Sequence, residues 1–117
     1  MNPYKVVTLA VIALLIDMPW LYLNSEWSGK VIRAVQGSAL TMRLWPAVIV
    51  YLAIGYLIST ATTPLKAGAI GITTYAIYDF TNYATFKNYD PYFAITDTVW
   101  GGALFALTLS VAQKIGV

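Results

Sequence analysis

The sequence contains neither cysteine nor histidine, and only 10% of its 117 residues are charged. The absence of cysteine excludes disulfide bonds and thiol chemistry. The absence of histidine removes the side chain that most often acts as a general base or binds zinc and haem. A soluble domain has about a quarter of its residues charged, so this composition is atypical of one. The net charge of +2 comes from basic residues near the ends of apolar runs, which predicts no nucleic-acid partner.

Apolar residues, in contrast, make up 59% of the chain. They are gathered in four long runs, and each run opens on a proline that follows a capping or anchoring residue. Proline is well tolerated at the first position of a helix, because its missing N–H would have no partner there. The runs predict helices at residues 3–23, 46–61, 64–86 and 91–113, close to the roughly 20 residues that a membrane-spanning helix needs. The second run is the shortest, and an alternative start for its helix lies one turn earlier.

The connections between these runs determine the predicted architecture. Two of them are only a few residues long, so consecutive helices are expected to be antiparallel neighbours. The expected fold class is all-α, with residues 1–117 forming a single transmembrane domain. This domain would be an integral, multi-pass four-helix bundle in a lipid bilayer, with both termini on one side of the membrane.

The longer connection at residues 24–43 has two interpretations. If it is helical, its apolar side chains share one face: Val31, Ile32, Val35, Ala39 and Met42. That pattern favours a short amphipathic helix lying at the membrane interface between the first two spans. Gly29 and Gly37 weaken any helix, so an irregular surface loop is the alternative.

Three aspartates occupy corresponding positions in three of the predicted spans. Asp17 lies six residues before the end of the first span, Asp79 seven before the end of the third, and Asp97 six after the start of the fourth. With a rise of 1.5 Å per residue, all three are expected about 9–10 Å from the same membrane face. An acid inside a bilayer is costly, and it therefore indicates a functional site.

Helical periodicity places each acid on a face with other polar, aromatic or small residues, which we interpret as the inward face. The candidate proton or ion pathway consists of Asp17, Asp79, Asn82, Asp97, Tyr75, Tyr78 and Trp100. Close helix packing is predicted at three small residues, Gly68, Gly71 and Gly101. No Lys or Arg lies at that depth, so we expect at least one of the three carboxyls to hold a proton.

A motif in the second half of the chain resembles that of a known family. The run YAIYDFTNYATFKNY at Tyr75–Tyr89, followed by TDTVWGG at Thr96–Gly102, is similar to the signature of the domain of unknown function 2177 family. The matching positions are Tyr75, Tyr78, Asp79, Thr81, Asn82, Ala84, Thr85, Asp97, Trp100 and Gly101. An Asp-Trp-Leu pattern in the first span is matched by Asp17, Trp20 and Leu21. The resemblance implies an uncharacterised four-helix membrane protein of the kind found in bacteria, algae and large DNA viruses, and it implies no activity.

Three functions are compatible with these features. The first is a small channel or carrier for protons or cations, for which so short a chain would form a homo-oligomer. The second is a structural or assembly protein that packs against other proteins in a cellular or viral membrane, with the acids forming hydrogen bonds between helices. The third is an enzyme that uses Asp79 or Asp97 as a base or metal ligand on a lipid substrate. It is disfavoured because no phosphate-binding loop accompanies the acids. We therefore expect no enzyme activity and no cofactor, and leave any metal open.

Overall fold

The computed structural model describes residues 1–117 and consists of five α-helices with no β-strand. The helices are α1 (Pro3–Leu23), α2 (Ser25–Gln36), α3 (Leu44–Ser59), α4 (Pro64–Thr85) and α5 (Pro91–Lys114). The fold class is therefore all-α, as predicted. The bounds of α1, α3, α4 and α5 lie within two residues of the four apolar runs.

Side-chain caps explain where three of the helices begin. Asn2, Thr63 and Asp90 each accept hydrogen bonds from N–H groups of the first turn, and a proline follows each of them. Helix α3 differs, because it begins at Leu44 behind Arg43, which forms no side-chain cap. This start lies two residues before Pro46, within the earlier turn that the short second run allows, since a proline fits anywhere in the first helical turn and does not have to open it.

The longer connection contains a helix, α2, and is not a bare loop. This helix ends where Gly37 adopts a left-handed conformation with φ of 76°, as is common just after a helix. Ala39 and Met42, which we had predicted on its apolar face, lie beyond this end and belong to a non-helical segment. The predicted apolar face was too long, because the helix ends at Gly37 and does not reach Ala39 or Met42.

The apolar face of α2 packs against the connection between α4 and α5. Its buried residue Val31 contacts Tyr89 and Ala94 in a small cluster. Nearby, the indole N–H of Trp27 donates a hydrogen bond to the Asp90 carboxylate at 3.0 Å. Part of this face is thus covered by protein, and α2 holds the α4–α5 connection in place.

Helix α5 occupies the centre of the molecule. It packs along α4 for most of its length and also contacts α1 and α3, while α1 packs along α3. One apolar core joins all four helices, and it consists of Leu9, Ala13, Ile54, Ile58, Ala61, Ala67, Leu104, Phe105, Leu109 and Ala112. Helices α3 and α4 touch each other very little, so that side of the molecule is open.

Much of the outer surface of the helices is also apolar. Only 23 of the 117 residues are buried, and large apolar side chains such as Ile77 and Val99 are 71% and 63% exposed. Soluble monomers rarely expose contiguous apolar surface on this scale. By length and composition, α1 and α5 qualify as membrane-spanning helices, whereas α3 is apolar but only 16 residues long. Helix α4 is long enough but carries more polar residues, so helix length and apolarity support two spans and not four.

The close contact between α4 and α5 depends on Gly71 and Gly101, two of the three glycines predicted to pack. A Cβ atom on Gly71 would overlap the Gly101 carbonyl oxygen and lie 2.8 Å from the Phe105 ring. A Cβ atom on Gly101 would overlap the ring of Tyr75. At Gly68, by contrast, the nearest atoms would be 3.5 Å from a Cβ, which is an ordinary contact.

These two environments predict opposite outcomes for the same substitution. Gly71→Ala should lower the free energy of unfolding by about 1–3 kcal/mol, because backbone atoms of α5 would have to move. Gly68→Ala should leave stability unchanged or raise it by up to about 1 kcal/mol, because alanine favours the helix. Unfolding of both variants in detergent micelles measures the difference, and equal stabilities would contradict the packing described.

Candidate functional site

The Asp17 carboxylate connects three helices. The hydroxyl of Tyr51 on α3 donates to its Oδ2 at 2.5 Å, and the indole N–H of Trp100 on α5 donates to its Oδ1 at 2.8 Å. Asp17 is only 5% exposed. Trp20, one turn further along α1, stacks on Trp100 with ring centroids 4.8 Å apart and planes 4° from parallel. Both carboxylate oxygens therefore have donors, and both donors are uncharged.

Asp79 on α4 is completely buried and lies beside a second carboxyl group. The hydroxyl of Tyr89 donates to its Oδ1 at 3.0 Å. No N–H or hydroxyl group donates to its Oδ2. The carboxyl group of Asp97 on α5 is its close neighbour. Because two adjacent carboxyls in an apolar interior cannot both readily stay ionised, we expect one of the two groups to hold a proton.

Neither a basic side chain nor a metal site accompanies these acids. The only ion pair in the molecule joins Lys30 to Glu26 at 3.9 Å, on the exposed surface of α2. No three acidic side chains converge closely enough to hold a metal ion. The donors to Asp17 and Asp79 are therefore all uncharged, and the acids form one neighbouring pair, Asp79 and Asp97, and one separate carboxylate, Asp17.

Tyr75 on α4 lines the same cleft as Asp17 and Asp97. Its ring packs edge-on against Phe105 with centroids 6.1 Å apart. The cleft has a volume of about 460 Å³ and is formed mainly by α1, α3 and α4. Asp17 and Asp97 both line this cleft, whereas Asp79 does not. Asp97 is therefore the member of the pair that faces open space.

The structure brings most of the predicted site residues together, with two differences. The acids were expected to cluster, but Asp17 and Asp79 lie on α1 and α4, which scarcely touch each other. Equal depth along two helices does not determine how near they lie around the bundle. Tyr78, predicted to face inward, is 59% exposed at the rim of the cleft, and Asn82, one turn further along α4, is only half-buried. Like the preceding residue Ile77, Tyr78 lies on the outer side of α4.

Two tyrosines that donate hydrogen bonds to the acids were not predicted from the sequence. Tyr51 lies in an apolar helix outside every motif, although a hydroxyl in such a helix needs a partner and could have been considered for that reason. Tyr89 lies in the α4–α5 connection, where nothing in the sequence indicates that it folds back onto α4. Burial raises the pKa of the Tyr89 hydroxyl above its ordinary value, so this group keeps its proton and remains a donor.

The molecule is α-helical, its outer surface is largely apolar, and it has acids buried inside. These features are typical of helical membrane proteins with a polar interior. The chain matches a family model over residues 4–113, nearly its whole length. That family is domain of unknown function 2177, described as a predicted membrane protein, and the chain belongs to it. No curated protein and no solved structure matches the chain. The family therefore supports a membrane protein without indicating an activity.

The hydrogen bond to Asp79 predicts a difference between two tyrosines. Tyr89→Phe should lower the free energy of unfolding by about 1–3 kcal/mol, because a buried carboxyl oxygen would lose its donor. Tyr83→Phe should change it by no more than about 0.5 kcal/mol, because Tyr83 is exposed and its hydroxyl makes no bond within the protein. Chemical unfolding in micelles compares the two, and a silent Tyr89→Phe would contradict the role assigned to this hydroxyl.

Proposed function

We propose that the protein is a multi-pass integral membrane protein in which α1, α3, α4 and α5 cross the bilayer as a four-helix bundle. The common apolar core and the exposed apolar residues on each of these helices support this arrangement. Helix α3, about 24 Å long at 1.5 Å per residue, is short for the roughly 30 Å hydrocarbon layer. Local thinning of the bilayer can accommodate it. Helix α2 would lie at the interface, with Lys30 and Arg33 exposed toward the headgroups.

Four crossings place both chain termini on the same side of the membrane. The absence of native cysteine makes single-cysteine variants specific reporters of this topology. Asn2→Cys and Val117→Cys should react with a membrane-impermeant maleimide from one side of sealed vesicles, and Ser38→Cys should react from the other. Labelling of the two termini from opposite sides would overturn the four-span arrangement.

We further propose that the Asp79–Asp97 pair takes part in proton transfer through the bundle. The observation that carries this proposal is the placement of two neighbouring carboxyl groups, one fully buried and one lining the cleft, with no basic side chain paired to either. Two such carboxyls in an apolar interior are expected to hold at least one proton. A proton is favoured over a metal cation because no three acids converge on one point. Asp97 would exchange its proton with water in the cleft, which Tyr75 and Asp17 also line. A bundle this small leaves little room for a pore, so the proposal includes a homo-oligomer.

A structural role is the second candidate, and a different observation favours it. Asp17 accepts hydrogen bonds from α3 and α5, while Asp79 is bonded to the connection that precedes α5. In this role the acids would hold the helices in register, and the protein would pack against other proteins of a cellular or viral membrane. Neutral donors are sufficient for that purpose, and no proton needs to move.

Substitution of Asp79 by asparagine separates these candidates, and substitution by leucine tests the hydrogen bond that both of them include. In Asp79→Asn, the amide oxygen can still accept from Tyr89 and the amide N–H can donate to Asp97, so the bundle should be as stable as the wild type or more so. Proton flux into liposomes should nevertheless fall by about tenfold or more if the pair transfers protons. Asp79→Leu should destabilise the protein by about 1–3 kcal/mol in either case, because it leaves Tyr89 without an acceptor.

The matched control is Glu26→Gln, which removes an exposed carboxylate far from the acids and should change neither stability nor flux. Wild-type protein that conducts no more protons than empty liposomes would exclude the transfer function. Wild-type flux that Asp79→Asn leaves unchanged would exclude the pair as its route.

A further inference from the structure

We propose that the cleft between α3 and α4 is a binding site for a monovalent organic cation with an apolar body. This site is distinct in function from the proton transfer proposed above and does not depend on it. Its volume of about 460 Å³ lies within the range of roughly 300–1,000 Å³ that is typical of small-molecule sites. Its walls are mostly apolar, and they include Leu21, Val50, Ala53, Ile54 and Leu57.

Asp97 is the group that would bind the charge. Both oxygens of Asp17, the other acid in the cleft, already accept hydrogen bonds from Tyr51 and Trp100. Asp97 lines the cleft beside Asp79, and its side chain forms no ion pair with a Lys or Arg. A carboxyl pair that shares a single proton carries one negative charge, and an uncompensated charge in apolar surroundings is costly. One positive charge in the cleft removes that cost, which is why the ligand is expected to be monovalent.

Aromatic side chains in the same cleft favour an organic cation over a hydrated metal ion. Trp20, Tyr75 and Tyr78 all line it. A cation near the face of an aromatic ring is attracted by the ring's π-electrons, and most strongly by tryptophan. The Trp20 ring is held in position by its stacking on Trp100, which is itself bonded to Asp17. This wall of the site is therefore preorganised.

The position of the cleft's opening indicates which kind of ligand can enter it. Helices α3 and α4 make few contacts, and the rim residues Val50 and Tyr78 are exposed on the apolar outer surface. In a membrane this opening faces the acyl chains. A ligand that enters there has to partition into lipid, so an apolar or aromatic body is required besides the charge.

Tetraphenylphosphonium, a permanent monovalent cation with an apolar surface, tests the proposal. Its binding to the full-length protein in micelles can be measured by titration calorimetry. The wild-type protein should bind it, and Asp97→Asn should raise the Kd by about tenfold or more. Triphenylphosphine oxide, an uncharged analogue, should bind at least about tenfold more weakly than the cation. Glu26→Gln should bind like wild type, because this acid lies on α2 outside the cleft.

A second pair of variants leaves every acid in place. Val50→Trp fills the cleft from its rim and should abolish binding, whereas Leu107→Trp adds the same side chain at an exposed position of α5 outside the cleft and should not. No binding to wild type, equal binding by Asp97→Asn, or equal binding by Val50→Trp would each overturn the proposal. Because the readout is binding, it is independent of whether the liposomes show proton flux.

Discussion

A buried carboxyl group needs hydrogen-bond donors, and the arrangement of this molecule depends on how those donors are provided. No basic side chain serves this purpose. Asp17 accepts from Tyr51 and Trp100 on two other helices, and Asp79 accepts from Tyr89 in the α4–α5 connection. In an apolar interior an unpaired carboxyl oxygen is costly. The relative positions of α1, α3, α4 and α5 are therefore constrained by a few bonds as well as by apolar packing.

The position of Tyr89 is determined by a surface contact that involves α2. Val31 covers the tyrosine ring, and Trp27 donates to Asp90, the residue that caps α5. Asn88 enables the turn by adopting a left-handed φ of 68°, which asparagine tolerates better than most residues. The amphipathic helix thus stabilises the connection whose tyrosine reaches the buried acid of α4. Loosening α2 would weaken that hydrogen bond without altering either residue that forms it.

The close packing of α4 on α5 and the open side between α3 and α4 have opposite consequences. Gly71 and Gly101 let the backbones of α4 and α5 approach closely, and the neighbouring acids Asp79 and Asp97 lie on these same two helices. The sparse contact between α3 and α4 leaves a cleft in which Asp97 faces open space. One acid pair therefore has a buried member and an accessible member, and both functional proposals depend on this asymmetry.

The sequence by itself determined the helices, the family and the identity of the buried acids. These features are local, because a capping residue, a proline and an apolar run act within a few residues of each other. Helical periodicity also identified the inward positions of Asp17 and Asp79. Only the tertiary structure decided that Asp79 lies beside Asp97 while Asp17 accepts hydrogen bonds from Tyr51 and Trp100. Periodicity gives the depth and face of a residue within its own helix, whereas its partners depend on which helices are neighbours, and apolar runs of similar composition do not specify that.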